Sequence, residues 1–202
     1  MQRFTLAFTG ASGMAYGLRL LESLLQSGCH VDLLISRAAR VVARQELDLA
    51  LPADGDALAA LLAARAPGHS GRLAVYGNEA WFARAASGSN PADAMVVCPC
   101  TMGTLAAIAH GHADNLMERA ADVMLKERRP LILVPRETPF SLIHLRNMTA
   151  LAEAGATILP ANPGFYHRPR TVDGVVDFIV ARILDQLGVA QTLIPRWGGD
   201  GE

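Results

Sequence analysis

Residues 5–28 read TLAFTGASGMAYGLRLLESLLQSG. A short apolar run enters a glycine-rich turn, and leucines at 18, 21, 24 and 25 then recur with a helical period. This order is the βα unit that opens nucleotide-binding domains, where the amides of a helix start attract an anion. The glycines stand at 10, 13 and 17. Their GxxGxxxG spacing departs from the GxGxxG of a dinucleotide site. Gly10 lets the chain leave the strand tightly, and Ser12 is placed to cap the helix and present a hydroxyl. Gly13 and Gly17 permit close packing or close approach.

A dinucleotide site makes a second demand, an acidic residue at the end of the second strand. That strand, HVDLLIS (30–36), ends in Ile35-Ser36-Arg37. Arg37 leaves a 2′-phosphate, and so NADP, open, but no carboxylate is there for a ribose. A Tyr-x-x-x-Lys pair is also missing, because Asp122 stands four residues before the only lysine, Lys126. A mononucleotide suits the chain better. Ser36 and the turn CPCTMGTLAA, with Thr101, Met102, Gly103 and Thr104, offer hydroxyls and amides at helix starts, fit for a phosphate or the polar edge of a flavin.

Outward from these turns the apolar periods alternate regularly. Strands are expected at 4–9, 30–36, 72–77, 94–99, 131–137 and 156–161. Helices are expected at 13–26, 37–48, 54–65, 101–111, 114–129, 141–155 and 172–188, with Asp54 or Asp56 capping the third. Residues 78–93 read as loop. Most strands are continuous apolar runs, which marks a parallel sheet covered on both faces. The expected fold is α/β: one Rossmann-like, doubly wound, mainly parallel sheet. One domain is expected over 1–188, followed by a tail at 189–202. Such sheets bind ligands beyond the carboxyl ends of their strands.

Composition narrows the function classes. The 202 residues are 51% hydrophobic and 18% charged, and the formal net charge is −1. That balance fits a compact domain and argues against a general nucleic-acid or membrane-surface binder. No leader-like segment and no apolar stretch of about 20 residues is evident, so a cytoplasmic protein is expected. Cys29, Cys98 and Cys100 are too few for a disulfide framework. Cys98-Pro-Cys100 lacks a second pair and reads as buried thiols in preference to metal ligands. His110 and His112 read as surface or capping residues.

Three further features carry chemistry. Lys126 is the one lysine among 18 basic residues, and a compact ammonium does a different job from a planar guanidinium. VPRETPFS places Arg136 and Glu137 at the end of a buried strand, where a general acid or base is held rigidly. GFYHRPR supplies Tyr166 and the last helix Arg182; with Lys126 these are the types of a phosphate clamp.

With these residues in hand, the chain resembles the UbiX flavin prenyltransferase family over almost its whole length. The likeness is carried by TGASGMAYG, LISRAAR with Glu46, ASGS at 86–89 and CPCTMGTLAAIAHG. It continues through DNLMERAADVMLKERRPLILVPRETPFSLIHLRNM, GATILPANPGFYHRP, VDFIVARILDQLG and the PRW of the tail. The resemblance implies transfer of a dimethylallyl group from dimethylallyl monophosphate to N5 and C6 of reduced FMN, without a metal. The product is prenylated FMN, the cofactor of UbiD-type decarboxylases. It also implies a homododecamer with sites at subunit interfaces. Carried onto matching positions, Gly10, Ala11, Ser12, Ser36, Thr101, Met102, Gly103, Thr104 and Arg136 would bind FMN. Tyr166, Arg182, Lys126 and Arg119 would bind the prenyl phosphate, with Trp81 or Trp197 facing the allylic cation. Glu46 and Glu137, with Ser12 and Lys126, would serve catalysis.

Two rivals stand beside this reading. A flavin-dependent cysteine decarboxylase would need a catalytic His after strand two or three and an Asn-rich substrate loop, and neither is found. An FMN storage or partner module would not need Lys126, Glu137, Tyr166 and Arg182 together.

Overall fold

The computed structural model describes residues 1–195. Six strands form one sheet: β1 (Arg3–Phe8), β2 (His30–Ile35), β3 (Arg72–Tyr76), β4 (Ala94–Cys100), β5 (Leu131–Pro135) and β6 (Thr157–Ile158). Their order is β3-β2-β1-β4-β5-β6, and every pairing is parallel. The chain therefore winds outward one way from β1 and then the other way from β4. The switch point falls between β1 and β4, where open α/β sheets leave a crevice for ligands.

Seven helices cover the sheet: α1 (Met14–Gln26), α2 (Arg37–Leu47), α3 (Gly55–Ala63), α4 (Met102–Ala109), α5 (Leu116–Lys126), α6 (Leu142–Glu153) and α7 (Val172–Leu187). Alternate strand residues feed two cores, as the two-residue period requires. Phe4, Leu6, Phe8, Val31, Leu33 and Val96 pack under α1, α2, α3 and α7. Ala7, Leu34, Met95, Val97 and Leu133 pack under α4, α5 and α6. β4 and β5 are buried along their whole length, which is why they read as unbroken apolar runs.

The expected elements are all present, most with trimmed ends, although β1 begins one residue earlier than expected, at Arg3, and β4 runs one residue further, to Cys100. β5 stops at Pro135, so Arg136 and Glu137 leave the sheet as loop. β6 is two residues long, although Leu159 and Ala161 continue as donors to the carbonyls of Leu133 and Pro135, at 2.8 and 3.0 Å. Asp54, and not Asp56, caps α3, accepting from the Ala57 amide at 2.8 Å. The 78–93 stretch folds over the sheet as a loop with one 3-10 turn at Arg84–Ala86. No helix among the described residues is long and apolar enough to cross a membrane.

Candidate active site

The turn after β1 departs from expectation at its cap. Gly13, not Ser12, is the N-cap of α1, and it takes a left-handed φ of 109° that a side chain would resist. The cap acceptor comes from elsewhere in the chain. The Glu46 carboxylate, near the end of α2, accepts from the amide of Gly13 at 3.0–3.1 Å and from that of Met14 at 3.0 Å. Burial alone would raise its pKa. The Ser12 hydroxyl, the two amides and the nearby Arg136 charge outweigh that and hold it below the usual glutamate range. The anion expected at this helix start is thus partly supplied by the protein itself. Arg136 reaches back over the sheet, its Nε donating to the Ser12 carbonyl at 3.3 Å. Ser12, Glu46 and Arg136 therefore form one cluster.

Two further helix starts stand on the neighbouring strands. Ser36 caps α2, its hydroxyl accepting from the Ala39 amide at 3.0 Å. Thr101 caps α4, accepting from the Thr104 amide at 3.0 Å and donating to the Thr104 hydroxyl at 2.9 Å. A buried threonine absent from the expected site ties these turns together. The Thr9 hydroxyl donates to the Pro99 carbonyl at 2.7 Å and accepts from the Thr101 amide at 2.9 Å. Its only sequence signal is a hydroxyl at the end of an apolar strand, directly before Gly10.

Two of the glycines have steric reasons. A Cβ on Gly10 would lie 2.5 Å from that of Ala38 at the α2 start, and a Cβ on Gly17 would lie 2.5 Å from the Cys98 carbonyl. Gly103, by contrast, faces open space, with nothing nearer a Cβ than the Thr101 hydroxyl at 3.9 Å. All three cysteines are free and buried, and burial pushes the Cys100 thiol up to about 12. A thiol so far from its thiolate is neither nucleophile nor ready metal ligand. His110 and His112 are exposed, as expected.

The other candidates lie apart. Each helix runs back against the parallel strands, so the end of α5 sits at the amino edge of the sheet, beside the entry to β5. Lys126 is there, paired with Glu127. Arg119, seven residues earlier on the same helix face, donates from Nε to the Ala86 carbonyl at 3.1 Å and from a terminal nitrogen to Asp122 at 2.6 Å. A Cβ on Gly88 would stand 2.5 Å from Lys126 Nζ and nearer still to Glu127. The ASGS loop thus lies against both cations, and the Ser87 and Ser89 hydroxyls within it are 2.9 Å apart. Trp81, in the same loop region, is two-fifths exposed.

Arg182 is ten residues into α7, about 15 Å from its start at 1.5 Å per residue, and pairs with Asp185 at 2.9 Å. Tyr166 is on the exposed 162–171 loop. His167, next to it, stacks on Phe178 of α7 with ring centroids 5.4 Å apart, and Gly164 also sits tightly on that ring. Glu137 follows β5, one of its carboxylate oxygens accepting from the Thr138 amide at 3.2 Å. Lys126, Tyr166 and Arg182 thus stand on three different elements: the end of α5, the 162–171 loop and α7. Trp197 lies outside the described residues.

Comparison with known proteins decides the family. The sequence profile of the flavoprotein family matches residues 1–184. "Flavin prenyltransferase UbiX" of Pseudomonas aeruginosa is 56% identical over 197 residues, covering 98% of this chain and 94% of that protein. The chain belongs to the UbiX family of flavoproteins. UbiX relatives of known structure share the whole fold. AnUbiX (PadA1), solved in complex with FMN and dimethylallyl pyrophosphate, superposes with a TM-score of 0.87 at 38% identity, covering 98% of each chain. A dodecameric FMN-dependent UbiX-like decarboxylase from Escherichia coli O157:H7 superposes with a TM-score of 0.84 at 40% identity, covering 98% of this chain and all of that one.

Proposed function

We propose that this chain is a flavin prenyltransferase acting on FMN and a dimethylallyl phosphate, in sites assembled between copies of itself. The observation that carries this reading is the placement of Lys126. The one ammonium side chain of the protein stands exposed on the same helix face as Arg119, against a loop that offers two serine hydroxyls. A prenyl monophosphate calls for such donors at its leaving group.

The residues at the carboxyl edge fit a flavin mononucleotide. The α2 and α4 starts present first-turn amides that have no partner inside their helices. Ser36, Thr101 and Thr104 add hydroxyls, Gly103 leaves the approach open, and Arg136 brings a cation to Ser12. Gly10, Ala11 and Met102 complete these turns. Reduced FMN supplies N5 and C6, the two atoms to which the dimethylallyl carbons become attached.

The chain's own side chains handle the rest. Arg119 and Lys126, with Arg182 and Tyr166, bind the phosphate and stabilise the charge that grows on it as the allylic C–O bond breaks. Trp81 offers a π face to the allylic cation. Glu137 accepts the proton released at ring closure. Glu46, anchored on two amides and held as a carboxylate, keeps Ser12 in place and serves as the second proton-handling group.

Copies must combine because the two halves stand at opposite edges of one sheet. β4 alone, seven residues long, spans about 20 Å between them. The surfaces flanking both halves are apolar and uncovered in the single chain: Phe82, Phe165, Leu142 and Ile143 are all more than half exposed. Such surface on one domain marks an interaction face. A closed homo-oligomer, dodecameric like the Escherichia coli relative, would cover it and bring Lys126 of one copy to Ser12 of another.

The product, prenylated FMN, would pass to a UbiD-type decarboxylase. The test is anaerobic conversion of reduced FMN with either the monophosphate or the pyrophosphate of dimethylallyl alcohol, read as flavin mass. Size measurement of the same sample is expected to give an assembly well above a dimer.

A further inference from the structure

The 162–171 loop lies on the surface, yet its middle is closed and anchored. The Arg168 amide donates to the Phe165 carbonyl at 2.9 Å. This bond makes a four-residue turn whose two central residues are Tyr166 and His167. Arg168 leaves the turn at a left-handed φ of 51°, which a residue with a side chain keeps only where its surroundings impose it. Of the two central residues, Tyr166 is 84% exposed and His167 is half-buried.

The anchor is α7. The His167 ring lies parallel to that of Phe178, with planes 6° apart and centroids 5.4 Å apart, an offset stack. Its Nε2–H donates to the Gly174 carbonyl at 3.4 Å. Before the turn, Gly164 packs so closely that a Cβ there would stand 2.9 Å from the Phe178 ring. After it, Pro169 lies 3.3 Å from where a Gly174 Cβ would be, and the Thr171 hydroxyl accepts from the Gly174 amide at 3.1 Å. Phe178 in turn packs on the buried core, so the anchor is firm. The loop therefore grips Gly174 and Phe178, four residues apart on one face of the helix, and Arg182 comes four residues later in the same row.

We infer that His167 is a positioning residue for the prenyl-phosphate site: its stack on Phe178 seats the Phe165–Arg168 turn and so brings Tyr166 to the α7 face that carries Arg182. The inference rests on the prenyltransferase reading for its substrate, but its structural part can be tested without turnover. Two central residues of one closed turn do not move independently, so loosening His167 releases Tyr166. The flavin turns at Ser36 and Thr101–Thr104 belong to other elements, and the effect should fall on the prenyl donor alone.

The experiment uses His167→Ala, His167→Phe, Tyr166→Phe and the double variant of His167→Ala with Tyr166→Phe, all in the full-length assembled protein. In His167→Ala, amide hydrogen exchange should quicken across 164–168 and stay unchanged at 101–104. Its kcat/KM for dimethylallyl monophosphate should fall about tenfold, while FMN affinity stays within about twofold of the parent. His167→Phe keeps a flat ring on Phe178 and should return kcat/KM to within about threefold of the parent. On the Tyr166→Phe background, His167→Ala should cost less than about twofold more, since both act through the same side chain. Unchanged exchange across 164–168, an unchanged kcat/KM, a His167→Phe protein as impaired as His167→Ala, or strictly additive losses would overturn the inference. Should His167→Ala fail to fold, His167→Leu, which fills the space without a ring, carries the same readouts. A parent protein that makes no prenylated flavin would sink the functional reading while leaving the exchange result to decide how the turn is seated.

Discussion

The two edges of the sheet are built differently. At the carboxyl edge, three helix starts, a buried threonine bridge and the Ser12–Glu46–Arg136 cluster are closed by hydrogen bonds inside one chain. Toward the amino edge, Lys126 stands exposed at the end of α5, paired with Glu127, and Arg119, two turns earlier on the same helix, is tied to Asp122 and to the Ala86 carbonyl of the loop. The first edge is hydrogen-bonded into one unit within the single chain. The second sets its two cations on one helix beside a loop. On the proposed function, one short domain would bind two substrates by completing one half-site on folding and leaving the other to assembly.

Substitutions should therefore sort by edge, and the largest effect should fall on proton transfer. Glu137→Gln keeps the shape and removes the base. Completion of the adduct should slow by roughly 10²- to 10⁴-fold with FMN still bound, as followed by stopped-flow absorbance. A variant that forms product at the parent rate would remove Glu137 from the chemistry. Next is Lys126→Ala, which should lower kcat/KM for the prenyl donor by about 10²-fold or more and leave FMN affinity unchanged. An equal loss of flavin binding would mean that the two edges are not separate in function.

Much of the carboxyl edge was legible in the sequence because its grammar is local. TGASG, ISR and CPCTMGT each carry a strand end, a small or hydroxyl residue and a helix start within a few positions. Glu46 as the cap of α1 was not legible as such: it lies more than 30 residues from Gly13, and a capping box looks only three residues ahead. The amino edge was legible as residue types and not as geometry. Lys126 stood out by its rarity, but nothing local says that its ammonium lies against Gly88. Asp32 had a signal, a lone charge in HVDLLI, whose ion-pair partners are Arg3 on the neighbouring strand and His30 on its own.

Smaller effects sharpen the contrast. Gly17→Ala drives a methyl against the Cys98 carbonyl and should cost about 1–3 kcal/mol of stability, measured by denaturant unfolding. Glu46→Ala removes the acceptor at the α1 start and should cost about 0.5–2 kcal/mol, as a lost cap does. The pH dependence has a defined sign. The Glu46 carboxyl is depressed in the folded protein, so its stabilising contribution is fully present above the ordinary glutamate range. It is lost as pH falls through that range and below. Parent and Glu46→Ala should therefore converge in melting temperature on acidification. A gap that persists at low pH would contradict the charge-based account of this cap.

The central claim is tested most directly by mass. Protein, FMN and dithionite are mixed without oxygen, dimethylallyl monophosphate is added, and the flavin is extracted and weighed by mass spectrometry. The account predicts a flavin heavier than FMN by one dimethylallyl unit, formed by the parent and not by Lys126→Ala on the same time scale. Unchanged FMN, bound by the parent but unmodified with either the monophosphate or the pyrophosphate, would contradict it.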